Sequence, residues 1–201
     1  MTIKRGIKTS LSTLLSGLLR ITAPLREGAG RIYAHALLAA TLREPLPASV
    51  IVLGKISIQG TGRIYIGENV LLYPDVHLET QENARIEIGD GVVISRGTHV
   101  VAVAGVIIGR GTMIGEYTSI RDANHTRDPD QPIRDSGYIA EPIEIGEEVW
   151  LGRGVAVLRG VRIGDNATVG ANAVVTRDVP EGVTVVGIPA MPISWSVTDT
   201  Q

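Results

Sequence analysis

The chain has 201 residues, which is enough for one domain with a sizeable core and too few for two full ones. Its formal net charge of −2 predicts no polyanionic partner such as nucleic acid, and the absence of Cys excludes disulfides, a thiol nucleophile and a Cys-based metal site. With 24 Gly, no Phe and few other aromatic residues, the core must be thin and built from small branched side chains.

The first 47 residues form a predicted helical segment, in two stretches at about 3–20 and 24–43 that end at Pro45 and Pro47. Basic residues come first, and apolar residues follow at helical spacing: Lys4, Arg5 and Lys8, then Ile7, Leu11, Leu14, Leu15 and Leu18. A signal peptide has the same order of parts. Here the apolar run is short and diluted by Ser, Thr and Gly, so an amphipathic helix is the better interpretation.

No segment reaches the ~18 consecutive apolar residues that a membrane-spanning helix needs. A cytoplasmic location is therefore expected. A basic amphipathic helix can rest on the inner face of the membrane as a peripheral contact, or it can pack on its own protein or trimer, and the sequence leaves both open.

Further along the chain, every sixth residue is aliphatic, at Ile145, Leu151, Val157, Ile163, Val169 and Val175. The fourth place of each six-residue unit is often a residue that tolerates positive φ at a corner, as at Gly154, Gly160, Asn166, Asn172 and Asp178. A period of six fits a short strand, a corner and another strand, with the aliphatic side chain always inward. Three units then make one triangular turn, and successive turns stack as paired parallel strands.

The same signature begins earlier turns at Ile66, Ile88 and Ile108. The predicted fold is therefore mainly β, a parallel β-helix in the form of a triangular prism over residues 48–186. The repeat is interrupted over residues 121–144, which predicts a loop that leaves the prism, and a C-terminal tail is expected over 187–201.

The interrupted segment begins with the five residues RDANH, of which His125 is the last. A side chain that takes a proton near neutral pH needs a pKa near 7, and an imidazole at a prism corner suits that need. A solvated loop histidine is the alternative. Asp122 could orient the imidazole or be an ordinary loop carboxylate, and Glu116 and Asp128 are rivals for that role.

These repeats resemble those of the hexapeptide-repeat acyltransferases over about residues 50–193. Within that group, the chain looks like the galactoside and maltose O-acetyltransferases and their polysaccharide-biosynthesis relatives. The matching stretches are IGRGTMIGEYTSIRDANH (108–125), IGEEVWLG (145–152), IGDNATVGANAVVTRDVP (163–180) and GIPA (187–190). The resemblance implies a left-handed coil, acetyl-CoA as the acyl donor, and a homotrimer whose active sites lie between neighbouring prisms.

The resemblance also assigns roles to individual residues. It implies that the loop 121–144 carries the active site, that His125 is the general base and that the backbone N–H of Gly152 is an oxyanion donor. The positions that approach acetyl-CoA map onto Trp150, Arg153, Ala171, Thr176 and Arg177. Two departures from the family pattern stand out. An Asn that contacts the acceptor in the sugar enzymes falls at Gly97, and basic residues of the family's tail fall at Met191 and Ser194.

The predicted function is acetyl transfer from acetyl-CoA to a hydroxyl of a sugar or surface-polysaccharide precursor, directly and without a metal. N-acetylation of an amino sugar and O-acetylation of serine stay open. Outside this class, the prism is shared with γ-type carbonic anhydrases, and His77 and His99 end equivalent units of adjacent turns, so their rings could stack. A non-catalytic scaffold is the third alternative.

Overall fold

The computed structural model describes residues 2–193, with side chains from residue 7 onward. One long helix, α1 (Thr2–Ala39), precedes a parallel β-helix in which the chain passes three flat faces in every turn. This confirms the predicted fold class, and its left hand is implied by the resemblance. Ser194, one of the tail positions singled out in the sequence, lies outside the described residues.

The strands are numbered in chain order, and each face stacks one strand from each successive turn in parallel register. Face 1 contains β1 (Ile51–Val52), β4 (Leu71–Leu72), β7 (Val93–Ile94), β10 (Met113–Ile114), β15 (Trp150–Leu151), β18 (Thr168–Val169) and β20 (Thr184–Val186). Face 2 contains β2 (Ser57–Gly60), β5 (His77–Thr80), β8 (His99–Ala102), β11 (Ser119–Arg121), β16 (Ala156–Val157) and β19 (Val174–Val175). Face 3 contains β3 (Ile64–Ile66), β6 (Ile86–Ile88), β9 (Val106–Ile108), β14 (Ile143–Ile145) and β17 (Arg162–Ile163).

Four elements lie outside this pattern. The strands β12 (Ala123–His125) and β13 (Tyr138–Ala140) pair with each other in antiparallel fashion, and a 3₁₀ turn (Ile133–Asp135) lies between them. The last strand, β21 (Met191–Pro192), turns back antiparallel to β20.

The core is the column of aliphatic side chains that the six-residue period predicts. All six positions of that period from residue 145 to 175 are buried: Ile145, Leu151, Val157, Ile163, Val169 and Val175. Each side chain stacks on its equivalent in the next turn, for example Leu151 on Val169. Because a buried aliphatic side chain contributes about 1.5–3 kcal/mol, this thin column can stabilise the fold without aromatic residues.

The corners follow the predicted left-handed backbone at Gly154, Gly160, Asn166 and Asn172. Asp178 was expected to share this conformation, and that expectation is wrong. Its carboxylate instead accepts a hydrogen bond from the backbone N–H of the residue opposite, Arg162, at 2.8 Å. The side chain closes this corner, so no positive φ is needed there.

The prediction of two helical stretches is wrong, because α1 is continuous and Pro24 lies inside it. Proline removes one helical hydrogen bond and usually kinks or ends a helix. Here Leu18, Ile21 and Leu25 keep the same helical spacing on both sides of the proline, and the helical conformation continues. No helix within residues 2–193 is both long and apolar enough to cross a membrane.

Candidate functional site

A long excursion leaves the prism between face 2 and face 3. The chain departs after β11, forms the β12–β13 hairpin, and returns to the prism at β14. The two ends of this segment, the predicted active-site loop, meet where the backbone N–H of Glu141 donates to the carbonyl of Asp122, at 2.9 Å. The loop is therefore closed at its base and projects from one corner of the prism.

Asp122 anchors this base and is fully buried. Its carboxylate accepts hydrogen bonds from three consecutive backbone N–H groups, those of Val103 (2.8 Å), Ala104 (2.7 Å) and Gly105 (2.7 Å). A buried carboxylate is tolerated because these donors replace the water that it has lost.

The orienting role considered for Asp122 is therefore corrected, because its oxygens bind the turn between β8 and β9 and not the imidazole. The rivals are placed elsewhere. The Asp128 carboxylate accepts from the N–H of Asp130 and the amide of Gln131, while Glu116 lines a groove at a different corner.

His125 ends β12 with its side chain exposed, and its backbone pairs with Tyr138 on the returning strand. The two rings are tilted by 55° with their centroids 5.0 Å apart, which is an ordinary aromatic contact. Tyr138 thus packs against the imidazole. Sequence reasoning missed this residue, although a lone tyrosine in a polar loop of a chain with few aromatics was an available signal.

A groove of about 410 Å³ runs along the corner between face 1 and face 2. Four residues assigned to the acyl donor or to the oxyanion line it together: Trp150, Gly152, Arg153 and Ala171. Trp150 projects outward from β15 with 58% of its surface exposed, and its neighbour across the ladder is the exposed Met113. The groove therefore has an apolar wall, formed by Trp150 and Met113, beside the side chain of Arg153.

Gly152 cannot supply the predicted oxyanion donor, because its N–H already donates to the carbonyl of Val169 at 2.8 Å in the ladder between turns. Packing between successive turns explains why a glycine occupies this position of the motif. A Cβ at this position would lie 2.7 Å from the backbone nitrogen of Ala171, so only glycine lets the two turns approach.

Arg153 extends over the ring of Tyr117, with its guanidinium carbon 5.7 Å from the ring centroid. The same ring explains the departure at Gly97. A Cβ there would lie 2.6 Å from the tyrosine ring, and Gly97 has a φ of 69°. The asparagine of the sugar enzymes would clash with Tyr117 in this chain.

Thr176 and Arg177 lie at another corner, between face 2 and face 3. They line a separate groove of about 530 Å³ with Asn124 at the base of the active-site loop. The same groove contains the ion pair between Arg159 and Glu141. Thus Arg177 is beside the segment that carries His125, while Trp150 and Arg153 are not.

The predicted site residues are consequently divided between two corners of one prism. The face 1–face 2 corner holds the groove with Trp150 and Arg153, and the face 2–face 3 corner holds Arg177 and the loop with His125. The groove at each corner is lined by residues of one set only.

His77 and His99 stack on the outer side of face 2, as their equivalent positions predicted, with ring centroids 4.2 Å apart. His77 is 3.4 Å from the carboxylate of Glu79. Burial, reinforced by the positive charges of His77 and Arg121, lowers the pKa of His99 below its ordinary value. His125 belongs to the projecting loop, and no group of three or more potential metal ligands occurs in the described part of the chain.

Comparison with known families supports the repeat. Residues 142–177 match the family described as bacterial transferase hexapeptide (six repeats). No curated protein matches the sequence.

Several solved structures share the fold. The N-acyltransferase AntD from Bacillus cereus, in complex with dTDP and 3-hydroxybutyryl-CoA, is 22% identical over 79% of this chain and 85% of its own, with a TM-score of 0.68. PerB from Caulobacter crescentus, in complex with CoA and GDP-perosamine, is 24% identical over 73% of this chain and 58% of its own, with a TM-score of 0.53. A hexapeptide-repeat-containing acetyltransferase from Vibrio cholerae is 24% identical over 92% of both chains, with a TM-score of 0.55.

At such identities, likeness shows the fold alone. Together with the matched repeat, it confirms the resemblance to the hexapeptide-repeat acyltransferases that the sequence predicted.

Proposed function

We propose that the protein is an acyltransferase that moves the acetyl group of acetyl-CoA to a hydroxyl of a sugar or surface-polysaccharide precursor. The observation that carries the proposal is an exposed histidine, His125, on an anchored loop that projects from a hexapeptide-repeat prism. The solved structures of AntD and PerB, which share this fold, contain CoA or a CoA thioester together with a nucleotide or a nucleotide sugar. Fold alone does not define an activity, so the case depends on the site.

In the proposed reaction, the imidazole of His125 takes the proton of the acceptor hydroxyl as the oxygen attacks the thioester carbonyl. The new C–O bond forms, the C–S bond breaks, and the CoA thiolate recovers the proton from the imidazolium. The acetyl group passes directly to the acceptor in this proposal, because the chain has no Cys and no Ser lies in a recognisable nucleophile motif. The contact with Tyr138 restricts the imidazole, which favours a productive orientation.

The groove beside Trp150 has the chemistry that an acyl-CoA needs. Its apolar wall of Trp150 and Met113 suits the pantetheine arm, and Arg153 at its end offers a guanidinium for a phosphate. Arg177 is exposed and forms no ion pair within residues 7–193, so it can serve a second phosphate. An exposed guanidinium of this kind can bind the phosphates of CoA and also those of a nucleotide sugar.

A homotrimer would complete this site. In a closed ring of three subunits every interface is heterologous, so one corner of each prism meets a different corner of the next. The acyl-donor groove and the loop with His125 occupy two such corners, which would bring the groove of one subunit to the histidine of its neighbour. Light scattering should therefore give about three times 21.3 kDa, and a solution containing only monomer would exclude this arrangement.

An amine is the alternative acceptor. AntD is an N-acyltransferase whose complexes include a dTDP-linked 4-amino sugar, and PerB was crystallised with GDP-perosamine. Serine is a further candidate because its hydroxyl would undergo the same chemistry. We propose O-transfer to a sugar because the stretches at 108–125 and 145–152 resemble those of the sugar O-acetyltransferases.

The decisive experiment is an acceptor screen with acetyl-CoA that follows the release of free CoA. Neutral sugars and polysaccharide fragments should be acetylated faster than nucleotide-linked amino sugars or serine. His125→Ala should lower kcat by ~10²–10⁴, the usual contribution of a general base. The matched control is Arg134→Ala, an exposed change in the same loop. Retention of more than half of the activity by His125→Ala would remove the mechanism, and preferential turnover of an amine would replace the O-transfer assignment.

A further inference from the structure

The most unusual surface of the molecule is the helix α1, which is hardly covered by the rest of the chain. From residue 7 onward, its first buried side chain is Ala34 and the second is Leu38, so this part of the helix meets the prism only near its C-terminal end. Between residues 7 and 33 no side chain is buried. A helix of 38 residues is about 57 Å long, and most of that length extends beyond the contact with the prism.

The exposed part carries one continuous apolar row. It consists of Ile7, Leu11, Leu14, Leu18, Ile21, Leu25 and Ile32, each 59–79% exposed. Successive helical residues advance by about 100°, so these seven side chains lie within an arc of about 80° on one side of the helix. Ala34 and Leu38 lie on the opposite side. Isolated exposed leucines are ordinary, but an uncovered row of this length indicates an interaction surface.

The charge of the helix differs from that of the prism. Of the 19 basic and 21 acidic residues of the chain, six basic and one acidic, Glu27, belong to α1, which leaves 13 and 20 for the rest. The basic side chains that the structure describes, Lys8, Arg20, Arg26 and Arg31, lie outside the apolar arc. None of them takes part in an ion pair within residues 7–193.

We propose that α1 lies flat on an anionic phospholipid surface, with the apolar row in the boundary between headgroups and acyl chains. Basic residues on the polar side of such a helix add attraction to anionic lipid. The acidic prism would be repelled by the same surface, so only the helix makes the contact. The apolar row faces away from the prism, and the helix can bind without leaving its own protein. The inner leaflet of a cell membrane has this chemistry.

The rival occupant of the row is α1 of a second copy. The residues of the row are spaced by four and three positions, which is also the pattern found where two helices pack together. Like charge argues against it, because Glu27 is the only acidic residue in the helix sequence and cannot balance six cations from each copy. Pro24 and Gly17 beside the row also interrupt the flanking positions at which interhelical ion pairs normally form.

The experiment is sedimentation of the full chain with vesicles of phosphatidylcholine alone or mixed with phosphatidylglycerol. The protein should bind the anionic vesicles about tenfold more tightly than the neutral ones. Leu14→Asn combined with Leu18→Asn should weaken that binding by about tenfold or more. The matched control is Thr13→Asn with Ser16→Asn, which places the same side chains on the polar side and should change binding by less than about threefold.

Equal binding of both vesicles, or equal binding by both double variants, would overturn the proposal. Absence of binding, combined with loss of the assembly in Leu14→Asn/Leu18→Asn by light scattering, would assign the row to neighbouring copies instead. Acetyl transfer to a water-soluble acceptor should be unaffected by either double variant. Failure of the membrane proposal is thereby distinguishable from failure of the proposed activity.

Discussion

Replacement of Asp122 by Asn is expected to lower the free energy of unfolding by about 2–4 kcal/mol. The carboxylate now accepts from the N–H groups of Val103, Ala104 and Gly105 in a fully buried place. An asparagine keeps one oxygen, which at the place of Oδ2 can still accept from Ala104 and Gly105 but only at 3.1 Å from Val103, whose shorter bond of 2.8 Å goes to Oδ1. Its NH₂ group must face the third N–H, donor against donor.

The magnitude follows from that one lost acceptor. A hydrogen bond to a charged group contributes about 1.5–3 kcal/mol, and a buried donor without a partner costs about 1–3 kcal/mol. These two quantities overlap, since both concern the same N–H. The remaining bonds also weaken because the acceptor has lost its charge.

Urea denaturation of the two proteins measures the difference, provided that the dependence of the free energy on urea is unchanged. The control is Asp165→Asn, in which an exposed carboxylate that accepts from the N–H of Glu147 at 2.8 Å is changed in the same way. It should cost less than about 1 kcal/mol. A loss below about 1 kcal/mol for Asp122→Asn, with a large fall in kcat, would refute the anchoring role. It would instead support the hypothesis that Asp122 orients the imidazole of His125.

Three further predictions concern charge and metal. Because the pKa of His99 is lowered in the fold, the unfolded chain takes up a proton first, so stability should fall as the pH drops through the ordinary value of 6.5. His99→Gln should flatten that dependence between pH 7.5 and 5.5 in urea titrations, and an unchanged slope would contradict this. Arg177→Glu should weaken CoA binding in calorimetry by about tenfold, while Arg134→Glu on the loop should not. Metal analysis of tag-free protein should find well below about one zinc per chain, and a chelator should leave acetyl transfer unaffected. Stoichiometric zinc, together with CO₂ hydration that the chelator abolishes, would instead favour a γ-type carbonic anhydrase.

The prism could be predicted from the sequence because its structure is local. Each six-residue unit specifies its own strand and corner, and stacking repeats the register, so Leu151 falls on Val169 without any long-range information. The same logic placed His77 over His99 from their equivalent positions in adjacent turns. Asp178 shows the limit of this logic, since a side-chain hydrogen bond replaced the expected backbone conformation.

The site was harder to predict because it depends on which backbone groups are already occupied. The N–H of Gly152 belongs to the ladder, and the carboxylate of Asp122 belongs to a neighbouring turn, neither of which a sequence motif reveals. The contact of Tyr138 with His125 depends on hairpin pairing across a polar loop that has no repeat. The continuity of α1 through Pro24 was not predicted from the sequence, since a proline ordinarily kinks or ends a helix.

The closed base of the active-site loop has an evolutionary consequence. Residues 122 and 141 are held together by one backbone hydrogen bond, and the prism on either side continues its stacking as if the intervening segment were missing. Such a segment can lengthen, shorten or be exchanged with little cost to the hydrophobic column, because loop closure changes slowly with length. A lineage could therefore acquire a new acceptor by replacing about twenty residues at one corner, while the scaffold and its donor groove stay as they are.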